Sequence, residues 1–225
     1  MNILIASATA AEVQPTLDFL YNHGQIIDGY VFEYKNHIIT ILITGPGSMH
    51  LLLKLSNLMM IQKFDLYINA GIAGSFDRNV KIGQVVKISR DRFADLGAEL
   101  KDGQFVDVFE LGLSMPPDLP YEDGWIKDDS DPQYFNHLSY VQAITVNKVS
   151  GTAASIEKMI EKYHPIIETM EGAGFMLASK QWGLKGTQIR SISNDVEPRD
   201  KSRWDIPVAI HSLNNELINF LKNVV

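Results

Sequence analysis

Glu12, Glu171 and Asn194 each stand at the end of a short apolar run, at residues 3–6, 166–170 and 187–193. Two more such ends carry glycines, Thr44-Gly45-Pro46-Gly47 and Gly71-Ile72-Ala73-Gly74, where bare backbone lets a ligand approach closely. A carboxylate so placed can take a proton from water or accept hydroxyl groups, and an amide offers both donor and acceptor atoms. Plainer readings exist for each. Glu12 suits the positive end of a helix dipole, Met170 suits a core, and Ser193-Asn194-Asp195 is ordinary turn composition. The six histidines are scattered without metal-ligand spacing, so no metal is expected. The absence of cysteine excludes disulfides and thiolate chemistry. The glycine runs match neither a Walker loop nor a dinucleotide fingerprint.

The elements that would hold these residues follow from the hydrophobic pattern. Continuous apolar strands are expected at 3–6, 66–70, 85–89, 143–149, 166–170 and 187–193. A hairpin is expected from 30–34 and 37–44, joined by Lys35-Asn36. Helices are expected at 12–22, 48–61, 155–163, 172–182 and 207–223, with Pro15 tolerated in a first turn and Thr152 or Ser155 as an N-cap. Alternating strands and helices predict one three-layer α/β/α domain over 1–225, with a central, mostly parallel, mixed sheet. Ligands of such sheets sit beyond the carboxyl ends of the strands, where the three polar residues fall. Residues 113–138 break the pattern with four prolines, and six acids face one lysine between Asp118 and Asp131. This stretch is expected to be an irregular lid or insertion.

The net charge is −7 and no Lys/Arg block occurs, which argues against a nucleic-acid polymer as partner. The opening apolar run is too short for a signal peptide or a membrane span, so a soluble cytoplasmic protein with no membrane partner is expected.

Taken together, Ala6-Ser7-Ala8-Thr9-Ala10-Ala11-Glu12, Asn69–Gly74, Glu168–Ala173 and Arg190–Asn194 resemble the purine nucleoside phosphorylase/nucleosidase superfamily in order and spacing. The resemblance spans essentially the whole chain and implies a nucleoside phosphorylase-like fold. The runs from Glu168 to Phe175 and from Ser193 to Ile206 resemble the futalosine hydrolases in particular. Methylthioadenosine/S-adenosylhomocysteine nucleosidases carry Asp, Glu and Ser where this chain has Asn194, Thr169 and Ile72.

The resemblance implies hydrolysis of the N-ribosidic bond of futalosine, in menaquinone biosynthesis, without a cofactor. It makes Glu12 the base that activates water and Glu171 the acceptor of the ribose hydroxyls, with Met170 packed on the sugar. Asn194 would meet a 6-oxopurine, donating to O6 and accepting from protonated N7. Gly71, Ile72, Thr169 and Ser193 would complete the substrate site. Arg199, Arg203 or Lys201 would meet the carboxylate on the 5′ extension of futalosine, beneath residues 113–138. Asp195 is either a second proton handler or part of the turn. The family forms homo-oligomers, so a dimer or larger assembly is expected.

The rival readings are a phosphate-dependent phosphorylase, a methylthioadenosine or aminodeoxyfutalosine nucleosidase, and a non-catalytic nucleoside-binding module. Against the first, Glu12 would repel phosphate and no arginine precedes Arg78.

Overall fold

The computed structural model describes residues 1–114 and 120–224. In chain order its elements are β1 (Asn2–Ser7), α1 (Ala10–His23), β2 (Gln25–Asp28), β3 (Val31–Tyr34), β4 (His37–Ile43), α2 (Ser48–Met59), β5 (Leu66–Ser75) and β6 (Val85–Asp91). There follow β7 (Gly97–Glu99), β8 (Phe105–Asp107), β9 (Ile126–Lys127), β10 (Ser139–Thr145), α3 (Ala153–Tyr163), β11 (Ile167–Thr169), α4 (Gly172–Trp182), β12 (Gly186–Asp195) and α5 (Ile206–Asn223).

The main sheet runs β11-β10-β6-β12-β5-β1-β4-β3-β2, and β11 also pairs with β5. That second pairing closes five strands on themselves, with β1, β4, β3 and β2 extending outward from β5. β1 lies between β4 and β5, parallel to both, and five of its six residues are buried. Its continuous apolar run is what burial on both faces requires. One core cluster gathers Leu4, Leu51, Ile88 and Phe175; another gathers Ile3, Leu17, Ile189 and Leu217 against α1 and α5. The hairpin turn places Lys35 and Asn36 at φ 50° and 62°, the left-handed pair that a two-residue β-turn of this kind needs. No helix among the described residues is long and apolar enough to cross a membrane.

Three expectations are corrected. First, α1 begins two residues earlier than the pattern predicts, because Thr9 caps it and Glu12 reaches back to the Thr9 N–H. Pro15 therefore falls in the second turn, where it removes a donor from the helix ladder. Asn214 of α5 sets its amide beside this turn: Oδ1 accepts from Thr16 N at 3.0 Å and Thr16 Oγ1 at 2.6 Å, and Nδ2 donates to the Glu12 carbonyl at 2.8 Å. Second, Gly71–Gly74 is not a loop after β5 but its second half, paired with β12. Third, β10 starts four residues earlier than expected and stops at Thr145. Beyond it Asp95 takes both the main-chain and side-chain N–H groups of Asn147.

Of residues 113–138, expected as an irregular lid or insertion, 115–119 lie outside the described residues. Residues 120–138 pack onto the body of the sheet. β9 pairs with β6, Trp125 and Ile126 are buried, and Phe135 stacks on Phe220 of α5 at 5.0 Å.

Candidate active site

A cleft of about 440 Å³ opens at the ends of β1, β4, β11 and β12 and along the second half of β5. Its lining includes Glu12, Ile72, Met170, Glu171, Asn194 and Arg199. Glu12 sits on the first turn of α1. Its Oε2 accepts from Thr9 N and Thr9 Oγ1, both at 2.9 Å, and its Oε1 accepts from Ile72 N at 3.2 Å. The helix-capping reading and the cleft reading of this residue therefore hold together. The cap fixes one oxygen and β5 fixes the other, which leaves the carboxylate in one orientation with one lone pair of Oε1 free for a ligand.

Glu171 immediately precedes α4. Its Oε1 accepts from Gly47 N at 2.8 Å, across the cleft from the start of α2. Gly45 and Gly47 have φ of 85° and 92°, so Thr44–Gly47 is a turn whose conformation delivers that N–H. Burial raises the pKa of Glu171, and the guanidinium of Arg190 pulls it back. Arg190 is 1% exposed. It donates to the Asn69 carbonyl at 3.2 Å, to the Ile189 carbonyl at 3.1 Å and to Asn69 Oδ1. Gly71 stands between Arg190 and Glu12: a Cβ there would lie 3.0 Å from Glu12 Oε1 and 3.4 Å from Arg190 Nη1. The bare backbone lets both side chains crowd against β5.

At the far end Asn194 is held by its neighbours. Its Oδ1 accepts from Ser193 Oγ at 2.8 Å, and its Nδ2 donates to the Asp195 carbonyl at 2.9 Å. Each amide atom keeps one further hydrogen-bonding position for a ligand. Glu168 also lines the cleft, on β11, and accepts from Ser150 N at 3.2 and 3.3 Å. Burial raises its carboxyl to about 7.

Behind Glu171 lies a buried polar group. Asp91 accepts from Thr145 Oγ1 at 3.0 Å, Arg92 N at 2.8 Å and Gln188 Nε2 at 3.2 Å. Thr145 Oγ1 in turn accepts from Ala173 N at 2.7 Å, and Thr169 Oγ1 accepts from Gly172 N at 3.2 Å. The first N–H groups of α4, which no helix can satisfy internally, thus end on threonine hydroxyls. A side chain at Gly172 would collide with this group, its Cβ 2.2 Å from Asp91 Oδ2.

The structure brings together most of the residues singled out in the sequence. Glu12, Ile72, Thr169, Met170, Glu171, Ser193, Asn194 and Arg199 line one cleft, and Gly71 abuts Glu12. Thr169 turns its hydroxyl to α4. Arg203 and Asp195 are not among the lining residues; Arg203 donates to Glu197 Oε2 at 2.6 Å. Nor does any described residue of 113–138 line the cleft, because residues 120–138 are packed elsewhere on the sheet. The sequence reading gave no role to Glu168 or Arg190, although both lie inside the quoted motifs, nor to Asn214; Gly47, expected to let a ligand approach, instead gives its N–H to Glu171. A carboxylate and a guanidinium within otherwise buried strands were the available signal.

No family model matches the chain. A futalosine hydrolase of Acidothermus cellulolyticus is 31% identical over 216 residues, covering 93% of this chain and 86% of that one. Among solved structures, a 5′-methylthioadenosine/S-adenosylhomocysteine nucleosidase from S. pneumoniae with a transition-state inhibitor superposes with a TM-score of 0.80 at 20% identity, covering both chains fully. The native futalosine hydrolase of Helicobacter pylori superposes with a TM-score of 0.80 at 16% identity, covering 100% of this chain and 98% of that one. These two establish the shared fold.

Proposed function

Because the chain belongs to the futalosine hydrolase family, we propose that it cleaves the N-ribosidic bond of futalosine with water, releasing hypoxanthine and the free sugar product. Glu12 accepts a proton from the attacking water as its oxygen bonds to the anomeric carbon. The bond to N9 breaks and its electron pair passes to the purine, which takes a proton from solvent at N7 and leaves as the neutral base, while Glu12 returns its proton to solvent. Asn194 accepts from that N7–H and donates to O6. Glu171 accepts from the ribose hydroxyls, and its charge opposes the positive charge that develops on the sugar. Met170 packs on the sugar ring. The observation that carries this reading is that Glu12, Glu171 and Asn194, far apart in sequence, line one cleft.

Arg199 is the cationic side chain among the cleft-lining residues, and its guanidinium lies 5.2 Å from the Trp204 ring centroid. With Ile206 and Ile210 it forms an apolar wall ending in a cation, which suits an aromatic carboxylate on the 5′ side. Arg203 is already paired with Glu197, so Arg199 is the better partner.

Hydrolysis is favoured over phosphorolysis because the groups at the water end are Glu12 and Thr9, and the cation nearest them among the described residues, Arg190, is buried with its donors on Asn69 and the Ile189 carbonyl. A homo-oligomer is part of the same reading, and Met49, Leu53, Met60 and Ile61 leave an apolar face on and just past α2. The deciding experiment is futalosine turnover with and without inorganic phosphate, followed by base release and sugar analysis. The expected result is hypoxanthine and free sugar at a rate indifferent to phosphate. Sugar 1-phosphate would overturn hydrolysis, and no base release would leave a binding module.

A further inference from the structure

The mechanism above leaves one buried carboxylate of the cleft without work. Glu168 is 5% exposed, and among the described residues its two oxygens find hydrogen-bond donors on Ser150 alone. A buried carboxylate has room for about four donors, so this one is short of partners on the side that faces the cleft.

Strand register says what would lie beside it. Glu168 on β11 is opposite Gly74 on β5, and Gly74 is opposite Asn194 on β12. Directly opposed residues of neighbouring strands share a face of the sheet. Glu168 and Asn194 therefore flank a bare glycine, their backbones two strand spacings apart, about 9–10 Å. The floor between them cannot hold a side chain. A Cβ on Gly74 would lie 3.1 Å from Asn194 Nδ2 and 2.9 Å from Val196 Cγ2. A flat ring laid over Gly74 would present one edge to the amide and the next edge to the carboxylate.

Resting on the reading that Asn194 meets the N7/O6 edge of a 6-oxopurine, we infer that Glu168 is the acceptor for its N1–H, and so a specificity-determining residue for the base. O6 lies between N7 and N1 on the purine perimeter, so the two side chains would bracket it. Adenine reverses the pattern, since its N1 accepts and its 6-amino group donates. An ionised Glu168 would face the adenine N1 lone pair with no proton between them.

The test compares wild type and Glu168→Gln on futalosine and its 6-amino counterpart, which differ only at the base. The amide can donate to the adenine N1, whereas it replaces a charged acceptor for N1–H by a neutral one. Loss of a charge-assisted bond at a buried site should lower kcat/KM for futalosine by about 10- to 100-fold. The 6-amino substrate should be unaffected or improved. Equal losses on both substrates would overturn the inference and leave the wider functional reading intact, whereas wild type inactive on futalosine would count against that reading instead.

A second measurement needs no variant. Hypoxanthine and adenine are used as competing free bases against wild type across pH 5.5–8.5. Burial holds the Glu168 carboxyl near 7. Hypoxanthine inhibition should therefore strengthen relative to adenine as pH rises through that value. The other ionisable groups of the cleft, Glu12, Glu171, Glu197 and Arg199, act on both bases alike and drop out of the ratio. A ratio that does not move with pH would overturn the assignment.

Discussion

In the proposed function, selectivity for the base rests on single atoms. The Oδ1 of Asn194 is pinned by Ser193 Oγ and its Nδ2 by the Asp195 carbonyl, so the amide presents a fixed donor and a fixed acceptor to the cleft. Replacing it by a carboxylate removes the donor for O6 and sets negative charge against that oxygen, while an amino group at the same place would be welcomed. Asn194→Asp should therefore lower kcat/KM on futalosine by about 10- to 100-fold and shift preference towards the 6-amino base, as measured by base release from the two substrates. Unchanged relative rates would remove Asn194 from base recognition. Glu12, Glu171 and Asn194 were legible in the sequence because each is a polar residue at the end of an apolar run. Glu168 and Arg190 were not, because they lie within buried strands and their meaning depends on which strand lies beside them.

At the scale of elements, the orientation of Glu12, proposed to activate the water, depends on a helix that the sequence predicts only in outline. Pro15 looks harmless if α1 starts at Glu12, and its true place in the second turn follows from Thr9 and Glu12 capping one another. What Asn214 does there could not be read from α5, where it occupies one position in an amphipathic helix. Its amide ties the Glu12 carbonyl to the Thr16 N–H and hydroxyl, joining α5 to the turn that carries Glu12. Asn214→Ala removes three hydrogen bonds that join α5 to this turn, a cost of about 1–3 kcal/mol. Denaturant unfolding should show that loss of stability. Futalosine assays well below the new midpoint should show kcat reduced more than KM is raised, because Glu12 and not the substrate pocket is loosened. A stability loss with unaltered kcat would mean that Asn214 holds the helices together without orienting Glu12. The segment 113–138 teaches the complementary lesson. Prolines and acids marked it as irregular, but composition does not say which surface a segment covers, and buried Trp125, Ile126 and Phe135 place its described part on the sheet.

For the whole molecule, the architecture was legible from alternation of strands and helices, but the closure of the sheet was not. β11 is three residues long and pairs with both β10 and β5, an arrangement that no local pattern announces. Closure encloses polar side chains, and Asp91 shows what this does to stability. Its carboxyl is fully buried, and burial raises it from 3.8 to about 6 against the hydrogen bonds from Gln188, Thr145 and Arg92 and the charge of Arg190. A group whose folded value is raised favours the folded state when protonated. Its contribution is fully present below the unfolded value near 3.8 and is lost as pH rises through about 6. The span between those values corresponds to roughly 3 kcal/mol. Asp91→Asn keeps an acceptor for Thr145 and Arg92 and carries no charge. Gln188 Oε1, a buried atom without a partner, could then turn to accept from the new amide. The variant should therefore gain on wild type between pH 4 and 7 and hold a constant advantage above that, up to about 3 kcal/mol by denaturant unfolding. If the difference between the two proteins does not change with pH, Asp91 is not the group that titrates, and the charge of Arg190 keeps it ionised throughout.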